Sequence, residues 1–346
     1  MRFGFSPTQS RARFDAMCAQ AGLAEALGFD VIWAHEHHSG GSTYPSPLMT
    51  LAALAGVTTR IELGTNMLLL PLYHPLRVAE DAAMVDVMSG GRLRLGVSAG
   101  YSPADLEAFA VPPGLRAQRM REGLALIRVV WSGVPVSLDS ELCRLHDFTL
   151  HPAPVRQPPI YMGGTVNAAI RRAARLGDEL IISATQRISD VPRILAIYAE
   201  ALRAIGLEPE AKTPTINRVV HVVPDGAAKQ SALAFFAKGL FGSYDAWGHQ
   251  NITGLNAEAR SLEQTDAEHL IVGEASFCID AIERYRAIGI KEIACLMNFG
   301  GPEPEAVERS MRLFGEKVIR VSAPDAGSLE PPGEAFGVCP GGRQCR

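Results

Sequence analysis

A chain of 346 residues, 47% of them apolar, has material for a large core, as one large domain or two smaller ones. Its charged residues, 20% of the total, sum to a net charge of −4, which argues against a nucleic-acid or membrane-surface binder, since those carry a basic patch or stripe. No apolar run approaches the roughly 18 residues of a membrane helix, and the first residues, MRFGFSPTQS, lack the long apolar segment of a signal peptide.

Along the chain, short apolar runs alternate with longer segments of helical character. Residues 2–6 read as a strand and 13–27 as a helix closed by Gly28. Strands are expected next at 30–34, 60–70 and 92–100, with helices at 47–55, 75–88 and 117–131. The connection 101–116, after the fourth strand, reads as an irregular insertion. Further strands fall at 159–164, 179–184, 215–223 and 292–299, with helices at 166–176, 191–205, 227–240 and 304–319. A polar stretch, 243–266, follows the seventh helix, before HLIVG and a helix at 277–288. Strand–helix alternation of this length predicts a parallel sheet with helices outside, and eight strands close a (β/α)8 TIM barrel, with insertions after strands four and seven. An open doubly wound sheet is the alternative, and its nucleotide-binding version lacks the G-x-G-x-x-G after the first strand.

Residues 1–322 form the expected barrel domain, and 323–346, rich in Gly and Pro, a flexible C-terminal tail. Cys18, Cys143, Cys278 and Cys295 are far apart, while Cys339 and Cys345 sit in the tail. The expectation is free thiols in the cytoplasm, with a bridge or metal as the lesser reading of the tail pair.

The stretch VIWAHEHHSGG, residues 31–41, ends the second strand, and functional groups of a barrel gather at strand C-termini. Alternation puts Trp33, His35 and His37 on the face turned to the mouth, with Glu36 and His38 on the other. A His-x-His there could begin a zinc site. The other strand ends offer Ser98, Thr165, Ser183 and Asn298, which are mostly poor zinc ligands, and His221 lies short of its strand's end. Metal binding, proton transfer and a hydrogen-bonded polar loop all stay open on these residues.

A second stretch, YMGGTVNAAIRRAARLG, ends a strand in Gly163 and Gly164 and begins a helix at Thr165. Free backbone N–H groups and the helix dipole suit an anion there, and glycines let it approach. The plain alternative is a turn with Thr165 as N-cap. In a third stretch, 62–101, Arg77, Glu80 and Asp81 are spaced for surface ion pairs worth only tenths of a kcal/mol.

Together GFDVIWAHEHH, LGTNMLLLPLYHPLRVAEDAAMVDVMSGGRLRLGVSAGY, PPIYMGGTVNAAIRRAARLGDELI and GIKEIACLMNFGGPEPEAVERSMRLFGEKVI make the chain resemble the bacterial luciferase-like flavin-dependent monooxygenases, over roughly residues 1–320. The resemblance implies a (β/α)8 barrel binding flavin at its C-terminal mouth. Reduced FMN (FMNH2) meets oxygen there, and a C4a-(hydro)peroxyflavin oxidises a small organic substrate. A flavin reductase usually supplies the flavin, and many members are dimers joined through early helices.

Carried over by residue, the proton-transfer histidine is His37, and a non-proline cis peptide falls at Asn66–Met67. The flavin phosphate falls near Thr165 and Val166. Thr65, Asn66, Met67, Ser98, Tyr101, Gly163, Gly164, Thr165 and Val166 are the expected cofactor contacts. Phe5, Trp33, Trp247 and His249 are the expected substrate-pocket residues. Where luciferase proper has a reactive cysteine and then an arginine on strand four, this chain has Ser98 and Ala99, so aldehyde luminescence does not carry over. The alternatives are an F420-dependent hydride-transfer enzyme of the same superfamily, a non-catalytic flavin-binding protein and a barrel metallohydrolase.

Overall fold

Pro at the first turn and Gly just past the last punctuate the helices, so the chain turns back sharply between them. Pro75 opens the helix Pro75–Ser89, and Gly90, at φ 68°, closes it with its N–H on the carbonyls of Asp86 and Val87. The computed structural model describes residues 1–9, 14–38, 44–140, 142–246 and 262–322. The readings for Trp247, His249, Cys339, Cys345 and the tail 323–346 lie outside the described residues, as does most of the polar stretch 243–266.

Eight parallel strands close a barrel. They are β1 (Arg2–Phe5), β2 (Val31–Ala34), β3 (Glu62–Thr65), β4 (Leu93–Ser98), β5 (Ile160–Gly163), β6 (Glu179–Ile182), β7 (Thr215–Val222) and β8 (Glu292–Leu296). Each pairs with the next, and β8 pairs back onto β1 with Arg2 opposite Glu292. The outer helices are α1 (Phe14–Leu27), α2 (Pro47–Ala55), α3 (Pro75–Ser89), α4 (Arg116–Val130), α5 (Asn167–Leu176), α6 (Val191–Arg203), α7 (Ala275–Ala287) and α8 (Pro304–Phe314). The (β/α)8 architecture expected from the alternation is the one observed.

Several segments differ from the linear reading. The apolar run 60–70 is not one strand: β3 ends at Thr65, and Leu68–Leu69 pairs separately with Val97 and Ser98 of β4. The connection after β4 contains a helix, Pro103–Ala108, whose N-cap Ser102 accepts a hydrogen bond from the Asp105 N–H. Between α4 and β5 lies an antiparallel hairpin, Val136–Asp139 with Arg144–Phe148, which the sequence reading did not contain. After β7 come the helices Gly226–Ala246 and Leu262–His269, and HLIVG becomes a short strand, Leu270–Gly273, on the C-terminal half of β7.

Alternation along the strands sorts the core into two regions. Outward residues pack under the helices: Phe3 meets Phe314 of α8 edge-on at 5.2 Å, and Phe5 meets Phe29 at 5.6 Å. Inward residues fill the barrel in layers. At the N-terminal end Arg94 pairs with Glu62 and Glu292, and Arg2 also reaches Glu62. Above that layer the indole of Trp33, fully buried, crosses the lumen. A Cβ on Gly4 or on Gly64 would overlap that ring, so both strands need glycine where it passes. Tyr161 contacts the indole edge-on at 5.4 Å, and the Arg94 guanidinium lies 5.4 Å from the Tyr161 ring centroid.

Candidate active site at the barrel mouth

Above Trp33 the inward positions at the strand ends are only partly buried: His35, Ser98, Gly163, Ser183, Asn217 and Asn298. They ring a mouth with Met67 across its inner wall. The Met67 methyl lies 3.4 and 3.5 Å from where side chains would begin on Gly96 and Gly163, so two bare backbones face one flexible thioether. The Asn66–Met67 peptide is cis, at the position the resemblance implied.

The histidine-rich stretch divides as the alternation requires. His35 faces inward, its Nε2 2.8 Å from Ser6 Oγ, and burial pushes its pKa down to about 4 against the raising effect of the Asn66 carbonyl. Glu36 turns the other way and is buried. Its carboxylate accepts from the Leu69 N–H at 3.0 Å and binds His38 Nε2 at 2.7 Å. It thus ties the end of β2 to the segment after β3. That hydrogen bond raises the His38 pKa, with burial opposing it. His38 also packs on Phe109 at 4.6 Å, just past the helix Pro103–Ala108. His37, half-buried, lies between these two arrangements on the rim.

The β5–α5 turn brings Gly163, Gly164 and Thr165 to the same rim. The helix begins one residue later than the sequence suggested: Val166, 54% exposed, is the N-cap, and no side chain caps the first N–H groups. Thr165 therefore stands outside the helix and does not cap it. Arg116 and Arg121 of α4 lie near Arg172 of α5, and burial followed by their like charge lowers the Arg172 pKa. Among the described residues none of these three guanidiniums has a carboxylate at ion-pair distance. Arg116 also reaches the Gly100 carbonyl at 3.4 Å, beside Tyr101. An uncapped helix start, on a helix whose Arg172 gathers with Arg116 and Arg121, is suited to an anion.

Three expected site residues are corrected by their surroundings. Phe5 points into the helix layer against Phe29, because odd positions of β1 face outward, so Ser6 is the residue of that strand end turned to the mouth. Trp33 has no exposed surface and forms the floor under the mouth instead of a pocket wall. Thr65 is fully buried, and its hydroxyl donates to the Gly96 carbonyl at 2.7 Å and accepts the Gly96 N–H at 2.9 Å, so its side chain is engaged with β4. The sequence reading missed Ser6, Gln9, Asn217 and the three arginines, which become neighbours only through the barrel's closure. Among the described residues no group of three or more His, Cys, Asp or Glu is placed to hold a metal ion, and Cys18, Cys143, Cys278 and Cys295 are free thiols. Among them, too, no helix is long and apolar enough to cross a membrane.

A TIM barrel with a partly exposed histidine on its C-terminal rim and an anion-suited helix start has the outline of a barrel enzyme's active site. The luciferase-like monooxygenase family model matches residues 1–292, and the chain belongs to that family. It is 25% identical over 308 residues to the oxygenase component of the flavin-dependent trigonelline monooxygenase of Acinetobacter baylyi, covering 83% of this chain and 84% of that protein. It is 24% identical over 330 residues to the F420-dependent glucose-6-phosphate dehydrogenase of Microbacterium testaceum, covering 92% and 96%. The crystal structure of the monooxygenase RslO1 from Streptomyces bottropensis superposes with a TM-score of 0.80 at 26% identity, covering 93% of this chain and all of that one. Flavin-dependent monooxygenases and F420-dependent dehydrogenases are thus both relatives of this enzyme.

Proposed function

We propose that the enzyme is a flavin-dependent monooxygenase that uses reduced FMN and dioxygen to oxidise a small organic substrate. The observation that carries this reading is the shape and charge of the mouth. An apolar wall of Met67 over Gly96 and Gly163 offers a face for a flat ring system, and the α5 start with Arg116, Arg121 and Arg172 suits its phosphate. Tyr101, Ser98, Gly164 and Val166 complete that surface. Bound there, reduced FMN would supply the electron pair that activates dioxygen.

His37 is the proton-transfer residue in this reading. It stands on the rim, and an imidazole exchanges protons near neutral pH. Trp33 excludes water from below, and the Glu36 tethers hold the His37 segment in place. A flavin reductase is the proposed partner, because the trigonelline relative is an oxygenase component. A homodimer through α2 and α3 is also proposed. Met49 on α2 and Met84, Val87 and Met88 on α3 are all exposed, Met49 by 74%, on two helices that pack together.

A second reading, F420-dependent hydride transfer, is favoured by the likeness to the glucose-6-phosphate dehydrogenase over nearly the whole chain. The deciding experiment mixes photoreduced FMN, the protein and air and follows the flavin spectrum. A protein-dependent delay before oxidised flavin appears supports the monooxygenase. Unaltered reoxidation, with anaerobic turnover on reduced F420, overturns it. Oxidised flavin held stably with no such delay identifies a non-catalytic flavin binder. Stoichiometric metal in an elemental analysis would point to hydrolytic metal chemistry instead.

A further inference from the structure

We propose that Arg218 is a positioning residue that works from outside the barrel wall, fastening the β6–α6 turn, and with it Ser183 of the mouth, at the seam where β6 parts from β7. The inference rests on the flavin reading above. The two strands pair only at Thr215 with Ile181 and Ile216 with Ile182. β6 then ends, while β7 runs on to Val222. Val219 pairs with Leu296 of β8 and also with Leu270, so the short strand Leu270–Gly273 takes the edge that β6 has left. Asn217 and Arg218 fall between the two pairings on that edge. No ladder bond joins the end of β6 to β7 at this place, yet Ser183 and Asn217 both face the mouth there.

Arg218 supplies the missing join. It has no exposed surface, and alternation turns it outward where Asn217 turns inward. Its Nη2 donates to the Gln186 carbonyl at 2.7 Å, and its Nη1 to the carbonyls of Asn217 at 2.9 Å and Ser183 at 3.5 Å. Its Nε donates to the Tyr285 hydroxyl of α7. All four partners are neutral oxygens. A buried charge is costly, and a well-packed apolar side chain would fill the same space at less cost. What the guanidinium adds is direction, because its planar fork of N–H groups reaches the turn, β7 and α7 at once. Within the turn the Ser183 hydroxyl lies 3.0 Å from Thr185 Oγ1 and accepts the Thr185 N–H at 3.3 Å, so Ser183 moves with the turn. Two further ties, His269 Nδ1 at 3.4 Å from the Ala184 carbonyl and the Ser189 hydroxyl on Glu268 at 2.9 Å, run to the helix Leu262–His269 and not to the barrel. The placing of Ser183 against β7 therefore falls to Arg218.

Two variants separate positioning from general stability. Arg218→Lys keeps the charge but has no fork, so it cannot hold the turn and α7 together. Tyr285→Phe removes only the oxygen on α7 and leaves the bonds to the turn. In hydrogen–deuterium exchange without cofactor, Arg218→Lys is expected to speed exchange across residues 183–187 about tenfold, while Tyr285→Phe speeds it in α7 alone. Affinity for oxidised FMN should fall about tenfold in Arg218→Lys, the loss of roughly one buried hydrogen bond, and the visible circular dichroism of the bound flavin should change. Tyr285→Phe should bind FMN within twofold of wild type, with an unchanged spectrum. Wild-type exchange of the turn in Arg218→Lys, a loosened turn with unaltered flavin binding, or an equal loss in Tyr285→Phe overturns the proposal. If a variant does not fold, the wild type decides: saturating FMN should slow exchange of 183–187, and unchanged exchange there overturns it. Wild-type protein that binds neither FMN nor F420 overturns the flavin reading alone, and exchange in the cofactor-free variants still decides whether Arg218 holds the turn.

Discussion

Arg94 and Glu292 meet inside the barrel, Arg94 Nη1 donating to Glu292 Oε2 at 2.8 Å, both side chains almost without exposure. Glu62 binds the same guanidinium, and Arg2 approaches Glu292 to 3.5 Å, so two cations and two carboxylates balance one another. Removing one member strands a charge. Arg94→Met is expected to destabilise the fold by about 3–5 kcal/mol, while Arg94→Met with Glu292→Met costs less than the sum of the single changes. Urea unfolding of the four proteins of that cycle decides it, and strict additivity would count against the paired reading.

Glu36 should matter through what it holds. Replacing it with Gln keeps the shape but removes the charge shared by the Leu69 N–H and His38. The expected cost is about 1–3 kcal/mol. The pKa of His38, raised mainly by the hydrogen bond to Glu36, should fall. Both follow from thermal melts and an NMR titration of the histidine ring protons. A His38 pKa that does not move would refute the assignment.

Acid should weaken the fold through its buried imidazoles. His35 and His221 are each pushed by burial from 6.5 down to about 4. The native state refuses protons that the unfolded chain accepts, so their stabilising contribution is whole above pH 6.5 and is lost as pH falls from there toward 4. His38 works in the opposite sense, its contribution being present below pH 6.5 and lost as pH rises through its raised pKa. Glu25, held at about 2 by the Ile61, Arg60 and Thr59 N–H groups against burial, adds a further loss below pH 4.5. The melting temperature is expected to drop between pH 6.5 and 4, and His221→Leu to flatten that slope by up to one proton. A slope that His221→Leu leaves unchanged would contradict this.

The arginines of α4 and α5 should distinguish FMN from riboflavin. Arg172→Met is expected to weaken FMN binding about tenfold, the scale of one charge-assisted contact. Riboflavin, which lacks the phosphate, should bind the variant and the wild type alike. Fluorescence titrations with both flavins make the comparison, and equal losses for the two would move the phosphate elsewhere.

His37→Ala should lower product formation at least a hundredfold, the usual contribution of a positioned proton donor or acceptor. Flavin affinity should stay within a few fold. Steady-state turnover beside a flavin titration separates the two quantities, and unchanged turnover would remove His37 from the chemistry.

The barrel was legible because each strand is a short apolar run followed by a helix with its own stop signal, Gly28 and Gly90 among them. Alternation placed Trp33 and His35 inward and Glu36 outward before any contact was known. What stayed hidden depends on separation or on breaks in a uniform run. Asn66 and Asn217 are 151 positions apart, so no local pattern joins them. The apolar stretch from Ile61 to Leu70 gives no periodic sign of its interruption after Thr65. The hairpin VSLD and RLHDF alternates too weakly, among charges, to stand out as strands. Phe5 was misjudged by one step of the alternation, which moves a side chain to the opposite face of the sheet.

The Trp33 indole, lying where Gly4 and Gly64 make room for it, turns the barrel from a pipe into a cup. The ring stands between the charged end of the lumen and the rim. In the proposed reaction flavin, oxygen, substrate and product would then share a single doorway. Arrivals and departures would have to take turns, and the pace of the enzyme would be set by traffic at the rim as much as by the chemistry beneath it.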